Sequence, residues 1–168
     1  MTSPRQPREA REPRQSAGER EAARRMREAI ALANTTPPGD VPVGAIVYSA
    51  AGEVVGRGVN RREADGDPTA HAEVAAIRQA ARTLGSWRLD GCELVVTLEP
   101  CTMCAGAILG ARVKSVVFGA YEPKTGACGS LLDALRDPHH LHTVEVRGGV
   151  LEAETAQLMS DFFGGLRA

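Results

Sequence analysis

The chain has 168 residues, 43% of them hydrophobic and 4% aromatic, with a formal net charge of −1. That length fits one domain with a core of aliphatic residues and alanine, and the charge excludes a nucleic-acid binder that works by bulk basicity. Four cysteines do not make a disulfide scaffold, no apolar run is long enough to span a bilayer, and no apolar leader follows the basic start; these point to a cytoplasmic protein with reduced thiols and no membrane partner.

Residues 1–17, MTSPRQPREAREPRQSA, are rich in proline and arginine and nearly devoid of apolar side chains. Such a segment cannot bury enough surface to offset its ordering entropy, so it reads as a disordered basic tail ahead of a single domain over 18–168. From about Glu19 to Ala33 the apolar positions Ala22, Met26, Ile30 and Ala33 recur at helical steps. TPPGD (36–40) ends that helix. VPVGAIVYS (41–49) and residues 53–59 read as two strands of a hairpin about the turn at 50–52.

READGDP (62–68) reads as a polar loop, and Thr69 onward as a helix capped by Asp67 or Thr69. CELVVTL (92–98) has the continuous apolar run of a buried strand. A helix is expected over Cys101–Leu109, a strand over 113–120, and a glycine-rich loop over 121–130. A short helix at Leu131–Leu135, a weak strand at Thr143–Val146 and an amphipathic helix over Glu152–Phe163 complete the chain, with Phe162 and Phe163 read as anchors of that last helix. Strands alternating with helices after a hairpin imply an α/β fold: a mixed sheet with helices on both faces.

The chemistry centres on TLEPCTMCAG (97–106), where Cys101 and Cys104 stand three apart after a proline. A lone C-x-x-C fits a redox pair, half of a structural zinc site, or chance. Cys92 and Cys128 lie too far apart to form a second pair, and His139, His140 and His142 cluster in a loop-like stretch. His71 is different, because it lies at the start of a predicted helix with Glu73 two residues on. One histidine and two thiolates leave a fourth zinc position open, which is the mark of a catalytic site. Such a site needs a base that is not a ligand, and Glu73 is placed for that role. Helical geometry puts residues i and i+2 on different faces. His71 and Glu73 therefore meet only in the space beyond the helix N-terminus, where Cys101 and Cys104 also belong to a first turn. Two helix N-termini aimed at one point favour thiolates and an anionic intermediate.

H-A-E at 71–73 with P-C-T-M-C at 100–104 resembles the signature of the zinc-dependent nucleobase deaminases, the cytidine and deoxycytidylate deaminase superfamily. Within it, VPVGAIV (41–47), GVNR (58–61), DPTAHAE (67–73), VTLEPCTMCAGA (96–107), VVFGA (116–120), KTGACGSLLD (124–133) and SDFF (160–163) are similar to the bacterial tRNA-specific adenosine deaminases. The resemblance implies a three-layer α/β/α sandwich around a five-stranded mixed sheet, usually as a homodimer. It implies one Zn2+ per subunit held by His71, Cys101 and Cys104, with Glu73 as the proton shuttle. Asn60 and the backbone of Ala72 would bind the flipped base. The implied reaction is hydrolytic deamination of adenosine to inosine in a tRNA anticodon loop. A deaminase of a free nucleobase or nucleoside is the alternative within enzymes, and a zinc module that binds RNA without catalysis is the alternative outside them.

Three positions depart from the family pattern. Glu122 stands where aspartate is usual after the fourth strand, Leu141 replaces asparagine before His142, and the sequence ends in GGLRA rather than a basic extension. Glu122 would contact the nucleotide beside the target. With so little net charge, RNA binding would draw on a local basic surface, for which Arg61, Arg62, Arg112, Lys124 and Arg147 are the candidates.

Overall fold

A computed structural model describes residues 15–166. The tail expected over 1–17 lies outside the described residues as far as residue 14. Ser16 and Ala17 instead begin the first helix, α1 (Ala17–Ala33), which starts before Glu19 because Ser16 and Glu19 form a reciprocal capping box.

The sheet has five strands in the order β2-β1-β3-β4-β5. β1 (Gly44–Tyr48) lies antiparallel between β2 (Val54–Val59) and β3 (Glu93–Leu98), as the hairpin reading requires. β3 then pairs in parallel with β4 (Ser115–Ala120), and β4 in parallel with β5 (Glu145–Arg147). Side chains alternate across a strand, and the core divides by that parity. Ile46, Tyr48, Val95 and Val117 pack against Ala22, Met26 and Ala29 of α1 on one face. Ala45, Val47, Leu94, Val96, Val116 and Phe118 pack on the other face with α3 (Ala72–Leu84) and α4 (Thr102–Gly110). The last helix, α5 (Glu152–Gly165), returns to the α1 side, where a Cβ on Gly119 would lie 2.5 Å from the Thr155 side chain. The result is a three-layer α/β/α sandwich.

Two close approaches set the seat of α3. A Cβ on Gly56 would lie 2.2 Å from the Ala76 carbonyl oxygen, and one on Gly58 would lie 2.2 Å from that of Ala72. The helix thus rests on bare strand backbone, and its N-terminus is located by Gly58.

Two local expectations change. Residues expected as the polar loop 62–68 contain a short helix, α2 (Arg62–Asp65), whose N-terminus is capped from afar: the buried Asp40 carboxylate accepts the backbone N–H groups of Glu63 at 2.7 Å and Ala64 at 3.0 Å. The segment over Leu131–Leu135 is a single 3₁₀ turn at Ala134–Arg136 rather than a helix. Before β5, His142 donates from Nε2 to the Val113 carbonyl at 2.6 Å, which ties this segment to the entry of β4.

Candidate metal centre and active site

His71 is the N-cap of α3 and Cys101 the N-cap of α4, both in extended conformation. Asp67 or Thr69 was expected at the first of these positions. Asp67 instead accepts the Thr69 backbone N–H at 2.8 Å in a local turn, which delays the helix to residue 72. The consequence is useful: each cap residue projects into the space beyond its helix, where the partial positive charge of the N-terminus is greatest.

The ligand atoms of His71, Cys101 and Cys104 all lie within 4.8 Å of one another. His71 Nδ1 is 3.7 Å from Cys101 Sγ and 3.6 Å from Cys104 Sγ. Tetrahedral zinc, with bonds of about 2.0–2.1 Å to nitrogen and about 2.3 Å to sulfur, requires N···S separations near 3.6 Å. The donor set therefore fits zinc in both chemistry and spacing. The two thiols compete for one negative charge. Cys101 is drawn down to about 4, first by a hydrogen bond from Cys104 and then, against its burial, by the His71 ring. Cys104 is pushed up by the same hydrogen bond and by its burial. Its hydrogen bond to Cys101 holds the His71 imidazole above its ordinary value, against partial burial.

Glu73 is outside the donor group and is 4% exposed. Burial holds its carboxyl above the usual carboxylate range, opposed by its own backbone N–H and by His71. A carboxyl group so placed gains and loses a proton nearer neutrality, as an acid–base shuttle must.

The centre opens into a cleft of about 190 Å³. Asn60, Ala72 and Glu122 all line it with His71, Glu73 and Cys101. Asn60 Nδ2 donates to the Val41 carbonyl at 3.1 Å and its Oδ1 accepts the Arg62 N–H at 3.3 Å, so the amide plane is fixed with one donor still to offer. Ala72 is the first residue of α3, and its N–H has no partner within the helix. The Glu122 carboxylate accepts the Lys124 N–H at 2.9 Å.

Sequence reasoning missed Glu99, Thr125 and Met159 in this wall, and it read Phe163 only as an anchor, whereas Phe163 lines the cleft. The one available signal was Glu99, a charge that directly follows a buried apolar run. The five cations offered as a basic surface do not all share one. Arg62 borders the cleft, Arg61 is paired with Asp65 beside β2, Arg112 donates to the Leu109 carbonyl after α4, and Arg147 lines a separate groove with Glu21 and Arg25.

A family model for the zinc-binding region of cytidine and deoxycytidylate deaminases matches residues 19–120. The chain belongs to this deaminase family. Among its deaminase relatives, the tRNA-specific adenosine deaminase of Bacillus subtilis is 46% identical over 143 residues, covering 84% of this chain and 88% of the relative. A tRNA(Ile)-lysidine synthase of Deinococcus radiodurans is 51% identical over 143 residues, but this chain spans only 24% of it. A solved structure from studies of A-to-I editing by tRNA:A34 deaminases at the wobble position superposes with a TM-score of 0.75 at 42% identity, covering 79% of this chain and 96% of that one. The deaminase fold expected from the sequence is the fold observed.

Proposed function

We propose that this deaminase converts adenosine to inosine by hydrolysis at the wobble position of a tRNA anticodon. The observation that carries the reading is a His-Cys-Cys donor set with a buried carboxyl beside it, at the floor of a cleft that Asn60 and Ala72 border. Its similarity to tRNA-specific adenosine deaminases over most of both chains supports the choice of substrate.

His71, Cys101 and Cys104 would hold one zinc ion, whose Lewis acidity makes a water nucleophilic near neutral pH. Glu73 takes a proton from the attacking water and delivers it to N1 of adenine while oxygen adds at C6. Glu73 then moves the proton of the new C6 hydroxyl to the amino group, the C6–N bond breaks as the C6 carbonyl forms, and ammonia leaves. Asn60 and the Ala72 N–H orient the base. The target base reaches the cleft only after leaving its stack, a step that costs less in an anticodon loop than in a duplex. The enzyme acts in the cytoplasm, where its tRNA is; no helix among the described residues is long and apolar enough to cross a membrane. It works as a homodimer, for which the exposed Leu131, Leu132 and Leu141 provide apolar surface.

The test is to incubate the protein with an anticodon stem-loop carrying adenosine at the wobble position and, separately, with free bases and nucleosides, and to measure ammonia and inosine. The expected result is release from the stem-loop. Release from free bases alone overturns the tRNA assignment.

A further inference from the structure

Glu99 follows β3, precedes Pro100 and Cys101, and is 2% exposed. Its Oε1 accepts the backbone N–H groups of Cys128 and Ser130, each at 3.0 Å. Its Oε2 accepts the backbone N–H of Glu122 at 3.0 Å and the Ser130 hydroxyl. All four donors come from the segment 122–130, and none is local to Glu99. A carboxylate is an acceptor only, with about four lone-pair sites, so this one is fully used.

The backbone makes a second track alongside. Ala127 donates its N–H to the Pro100 carbonyl at 2.8 Å, and Gly126 forms an antiparallel bridge with Cys101. The segment runs so close over the carboxylate that a Cβ on Gly126 would lie 2.5 Å from Glu99 Cδ and Oε2. Glu122 and Thr125, which line the cleft, are carried by this segment.

We propose that Glu99 is a positioning residue for substrate recognition: its carboxylate gathers the segment 122–130 into the cleft wall that meets the RNA. This rests on the reading of the cleft as the site of an adenosine in RNA. Four hydrogen bonds to one charged acceptor fix the wall before substrate arrives, so binding does not have to order it.

The test compares Glu99→Gln and Ser130→Ala with wild type, per folded and zinc-loaded molecule, on the stem-loop. Glutamine keeps the size but turns one acceptor into a donor that faces an N–H or O–H. The expected result for Glu99→Gln is a rise in KM of about tenfold or more, the loss of a charge-assisted hydrogen bond, with kcat within about threefold of wild type. Zinc content stays at the wild-type level. Hydrogen exchange of the Glu122, Cys128 and Ser130 amides accelerates while that of α3 does not. Ser130→Ala gives a smaller rise in KM, and the double variant is no worse than Glu99→Gln, because the two side chains act as one unit.

Wild-type KM in both single variants overturns the proposal. So does a loss confined to zinc content or to kcat, because Glu99 would then act on the metal centre. If wild type itself ignores the stem-loop, the adenosine reading fails, and the exchange experiment alone decides the clamp: unchanged exchange in the variants sinks it.

Discussion

Glu73 is the second residue of α3, buried beside three donor atoms yet not one of them. Its role is therefore separable from metal binding. Glu73→Gln should keep the wild-type zinc content and lose turnover by about 10²–10⁴-fold, the usual worth of a positioned acid–base group. Cys104→Ala should lose the metal as well as the activity. Metal analysis beside a deamination assay separates the two. Equal activity in Glu73→Gln and wild type would remove Glu73 from the mechanism. The motif made these side chains legible, because their types and spacing encode ligand chemistry. Glu99 was not legible as a contributor, because its four partners lie 23–31 residues downstream in a loop without a regular pattern.

At the scale of elements, the position of Glu73 depends on how closely α3 lies on β2. Gly58→Ala would press a methyl group 2.2 Å from the Ala72 carbonyl and push the N-terminus of α3 away from the sheet. The expected cost is about 1–3 kcal/mol in a urea melt, with a fall in kcat that exceeds the fall in folded fraction. Gly106→Ala is the control. Gly106 lies within α4 with nothing within 4 Å of a new Cβ, so the change should stabilise by up to about 1 kcal/mol. The hairpin, the buried third strand and the long helices were readable from periodicity alone. The helix starts were not, for local reasons of opposite sign. Asp67 looked like a cap but closes a turn with Thr69, whereas Ser16 and Glu19 form a capping box inside a stretch that composition assigned to a tail. The short helix α2 was invisible because Asp40, its cap, is 23 residues upstream.

For the molecule as a whole, the α1 layer is fastened to the sheet by Tyr48. Its hydroxyl donates to Glu28 Oε2 at 2.7 Å, and the Arg25 guanidinium sits 4.3 Å over its ring. Burial, and then the bond to Glu28, raise the phenol above its ordinary value of 10.0. The folded state thus favours the protonated phenol. That stability is complete below pH 10.0, the ordinary value, and declines as the pH climbs above it. Urea melts from pH 8 to 11 should show wild type losing stability above about pH 10, while Tyr48→Phe starts about 0.5–1.5 kcal/mol lower and falls less steeply. Parallel alkaline limbs in the two proteins would rule out this titration.

The match to the model of the family's zinc-binding region ends at residue 120, and His71, Glu73, Cys101 and Cys104 all lie before it. Glu122, Thr125, Met159 and Phe163 of the cleft come after it. The polypeptide is in effect a machine with a detachable jaw: the front supplies the reaction and, through Asn60 and Ala72, one side of the grip, and the rear supplies the other side. Exchanging residues 121–166 for those of a relative should retarget the enzyme without retooling its chemistry, provided the incoming jaw keeps an unbranched backbone over Glu99 where Gly126 now passes.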